Sequence, residues 1–273
     1  MKAKFSKLAA ALILPLCLLF SAGCRGMGGS EAYIIAGSTS VQPYIEMLAE
    51  EYAIINPGVL IDVQGGGSSA GIQAAETQTA DIGMSSRDLR ENEQHLWSTV
   101  ITKDGLAIIV NPENPVDSLT IEQLRGIYTG AYNNWSQLGG RDARIHVIAR
   151  EEGSGTRGAF EEMVMDGQRI NPRSIVQDSN GSVRQLVSGD PFSIGFISLG
   201  LVDVGERPVK ALQIDGVEAT RENVMNHTYT LFRSFLFVAT QEPTGGVMEF
   251  IEFIRSEQGQ AILSAEGLIP PDA

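Results

Sequence analysis

Three short segments of this chain share a design suited to holding a small anion. Gly37-Ser38-Thr39-Ser40, Gly65-Gly66-Gly67-Ser68-Ser69 and Gly153-Ser154-Gly155-Thr156 each combine glycine with hydroxyl side chains. Each follows an apolar β-type run and precedes residues with helical spacing, so each should open a helix. A helix amino terminus presents unpaired N–H groups and about half a positive charge. Glycine lets an oxyanion approach the backbone closely, and hydroxyls add donors. Taken singly, each loop reads as ordinary N-capping. Together with the hydroxyl pair Ser85-Ser86, they would converge on one crevice if they stand at the carboxyl ends of parallel strands. Arg150 ends the run before the third loop. Its bland role is a surface salt bridge; beside neutral donors it supplies a planar fork for a tetrahedral oxyanion. Glu152 is placed to hold that guanidinium, and Arg157 adds a second cation nearby. The ligand implied is small, anionic and rich in acceptors.

Two enzymatic readings use the same residues. Gly67-Ser68-Ser69-Ala70-Gly71 fits the G-x-S-x-G nucleophile elbow of a hydrolase. That chemistry also needs a histidine base, and the chain offers His95, His146 and His227, none in a Gly-rich or acidic setting. Gly65-x-Gly67-x-x-Ala70 fits a dinucleotide fingerprint, a weak signal when it stands alone. No P-loop occurs, and no His, Cys and carboxylate cluster has zinc spacing. The expectation is therefore no catalytic residue, no cofactor and no metal. A net charge of −13 leaves no basic surface to displace counterions from nucleic acid.

Such loops need a scaffold to bring them together. Strands are predicted over 33–36, 59–63, 81–84, 106–110, 145–149, 194–197 and 235–239. Helices are predicted over 41–55, 68–79, 119–128 and 156–165. The carboxyl end is helical, with Val247, Phe250, Ile251 and Ile254 as its apolar stripe. Repeated strand, loop and helix units mean an α/β architecture with a mainly parallel sheet. A chain of 273 residues, 43% of them hydrophobic, is long enough for two lobes.

The amino end reads differently. Lys2, Lys4 and Lys7 precede an apolar run over 8–20 that is too short to span a bilayer. Ser21-Ala22-Gly23-Cys24 resembles a bacterial lipobox, with Ser21 where a large aliphatic residue is usual. The reading is a signal peptide over 1–23, a lipidated Cys24 and a flexible tether over 24–30. An ordinary signal peptide with a chance cysteine is the alternative. Cys17 leaves with the leader, so no disulfide is expected.

Four motifs occur in order: Ala36-Gly37-Ser38-Thr39-Ser40-Val41-Gln42-Pro43, Gly67-Ser68-Ser69-Ala70-Gly71, Ala80-Asp81-Ile82-Gly83-Met84-Ser85-Ser86-Arg87 and Arg150-Glu151-Glu152-Gly153-Ser154-Gly155-Thr156-Arg157. Asn134-Trp135, Leu138-Gly139-Gly140 and Ile194-Gly195-Phe196 add further landmarks. Together they resemble the phosphate-binding proteins of bacterial phosphate ABC transporters, over nearly all of 31–270. The resemblance implies a two-lobed type II periplasmic-binding-protein fold, each lobe a mainly parallel sheet flanked by helices, joined by a two-strand hinge. The crossings would be 106–110 and 231–238. One lobe would then comprise 31–110 plus 232–273, and the other 111–231. Carried over residue by residue, the phosphate contacts fall on Thr39, Ser40, Ser68, Arg150, Ser154, Gly155 and Thr156. Ser86 takes a position where the family often has an aspartate that accepts the proton of bound phosphate. Asn180-Gly181-Ser182 resembles a loop facing the cleft. The implied protein is a monomeric, non-catalytic, extracytoplasmic receptor, lipid-anchored to the membrane. It would hand inorganic phosphate to the transmembrane permease subunits. A phosphate-ester hydrolase, or a binder of sulfate or molybdate on the same scaffold, is the alternative.

Overall fold

A computed structural model of the chain describes residues 31–272. Strand β1 (Glu31–Gly37) lies between β2 (Val59–Gly65) and β3 (Ile82–Ser85), parallel to both. Helix α1 (Gln42–Ile55) has a proline in its first turn and buries Tyr44, Ile45, Leu48 and Tyr52, a stripe at helical spacing. Helix α2 (Ser68–Glu76) packs closely on the sheet because Gly71 has no side chain; a Cβ there would lie 2.4 Å from the Ala36 carbonyl oxygen. These elements enclose one core, built around Ile35, Leu48, Ile82, Phe235, Phe237 and Phe250.

Strand β4 (Trp97–Val110) is far longer than the predicted run over 106–110. Beyond it come β5 (Ser118–Leu119), α3 (Ile121–Thr129), β6 (His146–Arg150) and α4 (Gly155–Phe160), which continues as a π-helical turn over Glu161–Met165. Strand β7 (Ile175–Gln177), α5 (Asn180–Gly189) and β8 (Ser193–Ser198) follow, then the short β9 (Lys210–Ala211), β10 (Gln213–Ile214) and α6 (Arg221–Met225). The second core centres on Leu124, Tyr128, Trp135, Phe160 and Phe196. Its aromatic centre is tight, with the Phe160 and Phe196 rings stacked at 4.3 Å. The chain returns through β11 (Phe232–Ala239) and closes with α7 (Gly246–Arg255) and α8 (Glu257–Ala265) on the first core.

The larger sheet runs β2-β1-β3-β11-β4-β8-β6-β7, with β9 beside β4, and β10 pairs separately with β5. Strand β4 joins the two cores. Its first part pairs antiparallel with β11, from Trp97 opposite Ala239 to Gly105 opposite Phe232. From Leu106 to Val110 it pairs instead with β8. The chain crosses back where the Leu106 N–H donates to the Leu231 carbonyl at 2.8 Å. Two crossing strands thus connect two α/β halves, as expected of a type II binding protein. The register also sets the height of the loops. Gly37 at the end of β1 is level with Gly65 of β2 and Met84 of β3, so three strand ends open on the same side.

Candidate functional site

Ser38, Ser40, Ser68, Ser85 and Ser86 are buried although each sits at or just beyond a strand end. A hydroxyl removed from water without a partner costs about 1–3 kcal/mol, so their pairing matters. Ser38 Oγ donates to Ser86 Oγ at 2.8 Å. Ser68 Oγ accepts the Ser86 backbone N–H at 3.0 Å and lies 3.4 Å from Ser86 Oγ. Across the cleft, Ser40 Oγ lies 2.8 Å from Thr156 Oγ1. Asn180 Nδ2 donates to Ser40 Oγ at 2.9 Å and to Thr39 Oγ1 at 3.3 Å. The Ser69 N–H reaches the Gly153 carbonyl at 3.0 Å. The loops after β1, β2, β3 and β6 therefore meet at one place, joined by the amino end of α5.

Helix capping accounts for none of these five serines, and among the hydroxyls of the loops only for Ser154. Ser154 is the N-cap of α4, its Oγ accepting the Arg157 N–H at 3.2 Å. Helices α1 and α2 start after Val41 and Gly67 with no side-chain cap, so the hydroxyls of Ser40 and Ser68 are left for other partners. Gly155 and Thr156, the first residues of α4, are buried against this cluster.

Arg150 is 1% exposed, which removes the surface salt-bridge reading. Its Nε donates to Glu151 Oε2 at 3.0 Å and to the Gln177 carbonyl at 3.2 Å. Its Nη2 donates to Glu151 Oε1 and to the Asp178 carbonyl, both at 2.9 Å. Nη1 is buried with no hydrogen-bond partner among the described residues, an uncommon state for a charged donor. Two expectations about its neighbours need correcting. Glu151, not Glu152, grips the guanidinium: it leads the turn directly after β6 and folds back, whereas Glu152 projects to solvent and comes no nearer than 4.0 Å to Arg157. Arg157 is not a second cation for the cluster either. Its Nη1 braces the Arg150 carbonyl at 2.9 Å and its Nε pairs with Glu161 at 2.8 Å.

The histidines also differ from the sequence reading, because two have acidic partners. His146 Nδ1 lies 2.6 Å from Asp190 and His95 Nε2 lies 3.2 Å from Glu76. Neither touches Ser68: His146 opens β6 at the end opposite Arg150, and His95 is exposed.

Sequence reasoning missed the largest charged feature beside the cluster. Asp104 and Arg233 face each other in the β4–β11 register and are both buried. Arg233 Nη2 donates to Asp104 Oδ2 at 3.1 Å and to Ser40 Oγ at 3.1 Å. Ser198 Oγ donates to Asp104 Oδ1 at 2.9 Å. Burial pushes the Asp104 carboxyl up from its ordinary pKa and the Arg233 guanidinium down, each opposed by the charge of the other. The available signal was charge inside two strands rich in apolar residues: Asp104 beside Lys103 within β4, and Arg233 at the start of β11.

Closure at this cluster depends on Gly155. A Cβ there would stand 2.0 Å from Ser68 Oγ and 2.6 Å from Ser86 Oγ. Gly155→Ala should therefore hold the β6 loop off α2 while leaving both cores intact. Overpacking of this kind costs about 1–3 kcal/mol, so affinity for an anion in the cleft should fall by roughly fivefold to 150-fold. The unfolding temperature of the ligand-free protein should barely move. Titration alongside scanning calorimetry checks this, and an unchanged affinity would show that the loop does not close on Ser68.

The profile of the PBP superfamily domain matches residues 28–258. The phosphate-binding protein PstS of Borreliella burgdorferi is 31% identical, over 90% of this chain and 92% of its own. That of Bacillus subtilis is 29% identical, over 98% of this chain and 95% of its own. Among solved structures, a phosphate ABC transporter substrate-binding protein from Clostridium perfringens, described with bound phosphate, superposes with a TM-score of 0.84 and 43% identity. It covers 88% of this chain and 99% of its own. An ABC-type phosphate transport receptor from Vibrio cholerae gives 0.73 at 40% identity, over 88% of this chain and 100% of its own.

Proposed function

This chain belongs to the PBP superfamily and, within it, to the PstS-type phosphate-binding proteins, and from that membership we infer that it captures inorganic phosphate between its two halves and delivers it to an ABC permease. The observation that carries the reading at this site is Arg150. Its guanidinium is buried, held in orientation by Glu151 and two carbonyls, and keeps one terminal nitrogen unpartnered. A rigid cation with a free donor, at the start of the loop that carries Ser154 and Thr156, suits an oxyanion. Thr39, Ser40, Ser68, Ser86, Ser154 and Thr156 supply hydroxyls, and Gly155 brings the start of α4 close. The halves that close on the ligand are 31–110 with 232–273, and 111–231. The overall charge of −13 is no obstacle, because a buried arginine and local helix-end dipoles act at short range.

The protein is a receptor and not an enzyme in this reading; among the described residues the Ser68 hydroxyl meets Ser86 and no histidine. Calorimetric titration of the phosphate-stripped protein with phosphate, sulfate and molybdate tests it. Tight one-to-one phosphate binding with no turnover of a chromogenic phosphomonoester is expected. Turnover of the ester would favour a hydrolase, and preference for sulfate or molybdate would reassign the ligand.

The expected anchor at Cys24 lies outside the described residues. The lipobox-like Ser21-Ala22-Gly23-Cys24 supports a diacylated cysteine that anchors the protein to a membrane on its extracytoplasmic side, in the periplasm or at the outer face of the cytoplasmic membrane, since two acyl chains exceed the marginal binding of one. Cys24→Ser should move the protein to the soluble fraction with its phosphate affinity unchanged. Persistent membrane association of that variant would remove the anchor from this account.

A further inference from the structure

We propose that Arg233 and Asn180 are positioning residues that fix Ser40 Oγ as an obligate hydrogen-bond donor to the bound anion. The proposal rests on the reading of this cluster as the phosphate site. A serine hydroxyl carries one hydrogen and two lone pairs, and by itself it rotates to donate or accept as its neighbours require. Ser40 has no such freedom. Arg233 Nη2 donates to its oxygen at 3.1 Å and Asn180 Nδ2 donates to it at 2.9 Å. Both lone pairs are filled, so the hydrogen of Ser40 points away from those two donors. It is directed to Thr156 Oγ1 at 2.8 Å, and when an anion lies between the halves it is available to an unprotonated oxygen.

The two donors are themselves fixed. Asn180 cannot turn its amide over, because its Oδ1 accepts the Ser198 backbone N–H at 3.3 Å. Ser198 Oγ donates to Asp104 Oδ1 at 2.9 Å, and Asp104 Oδ2 accepts from Arg233 Nη2 at 3.1 Å. The bonds close a ring: Ser40, Asn180, Ser198, Asp104, Arg233 and back to Ser40. Asp104 and Arg233 lie on the crossing strands, Ser40 lies on one half, and Asn180 and Ser198 lie on the other. The ring is complete only when the halves are together, so Ser40 acquires its fixed polarity on closure. Asp104 offsets the charge of Arg233, which is held through Nη2 alone, its Nε and Nη1 being buried without a hydrogen-bond partner among the described residues. In this proposal Arg233 acts through its contact with Ser40 and makes none with the anion.

The test is a double-mutant cycle on the full chain, read as phosphate affinity by calorimetry. Asn180→Ala should weaken binding about tenfold in the wild-type background, the upper range for one neutral hydrogen bond. In a Ser40→Ala background the same change should cost less than about twofold, because the hydroxyl it orients is gone. Arg233→Met with Asp104→Leu, which removes the ion pair without stranding a buried charge, should show the same coupling to Ser40. Should that double variant fail to fold, the Asn180 cycle decides alone. A merely structural role would lower stability equally in both backgrounds and leave the affinity losses additive. Additive losses, including those expected if Arg233 touched the anion itself, overturn the proposal while wild-type phosphate binding keeps the functional reading. A wild-type protein that does not bind phosphate takes down both.

Discussion

Arg150→Ala should remove most of the affinity for phosphate. Truncating the charged partner of a buried anion typically costs about 2–5 kcal/mol, roughly thirtyfold to several thousandfold in Kd. The fold should lose much less. Glu151 is partly exposed and can be rehydrated, and the Gln177 carbonyl still accepts the Glu151 N–H at 3.2 Å. Arg150→Lys should recover only part of the loss. The guanidinium directs Nε and Nη2 at Glu151 and two carbonyls, while Nη1 has no partner among the described residues. An ammonium carries three donors on one atom and cannot face both ways across a plane. Titration of the two variants against wild type decides the matter. Binding of the alanine variant within about threefold of wild type, well under the tenfold that 1.4 kcal/mol represents, would make Arg150 a strut between β6 and the 177–178 turn.

The parts of this site legible in the sequence are those set by local chemistry. A β run ending in glycine and hydroxyls ahead of a helical stripe is a short-range signal, and the loops at 37–40, 65–69 and 153–156 stand where that signal puts them. Strand β4 is half hidden in the sequence because Lys103 and Asp104 interrupt its pattern; Asp104 is tolerated there because Arg233 and Ser198, both far away in sequence, pair with it. No spacing rule reaches across such a separation. Strand β7 was missed for a different reason. Ile175 and Val176 lie on a sheet edge and are exposed, so the run has no buried alternation to betray it. The choice between Glu151 and Glu152 turned on which of two adjacent carboxylates folds back at a turn, a matter of one residue of backbone direction. Convergence of the loops on one cleft followed from the resemblance to a family and from topology, since parallel strands place their carboxyl ends together.

The second large effect concerns discrimination between anions, and Ser86 is where it should appear. Phosphate near neutral pH keeps a proton that it can donate, whereas sulfate has none. Ser86 is fully buried, and its Oγ accepts from Ser38 Oγ at 2.8 Å beside Ser68 Oγ at 3.4 Å. Ser38 occupies one lone pair, and the long contact with Ser68 uses either the hydrogen or the second lone pair; a bound anion competing for that weak contact can be met by a donor or by an acceptor, so the hydroxyl serves either anion. A carboxylate at this position would have no hydrogen to give. Ser38 and Ser68 could solvate it, and Gly155 opposite presents no side chain to block it. Facing sulfate, it would be a like-charge contact out of water, which costs several kcal/mol. Facing phosphate, it could accept the ligand's own proton. Ser86→Asp should therefore weaken sulfate by about a thousandfold, the factor that roughly 4 kcal/mol represents, and phosphate by much less. Wild type, by contrast, should separate the two anions only through the geometry of its hydroxyls and Arg150. Competition titrations of both proteins with both anions measure the two ratios. If sulfate and phosphate affinities fall by the same factor in the variant, the loop after β3 does not read the ligand proton, and discrimination must come from the donors on the opposite side of the cleft.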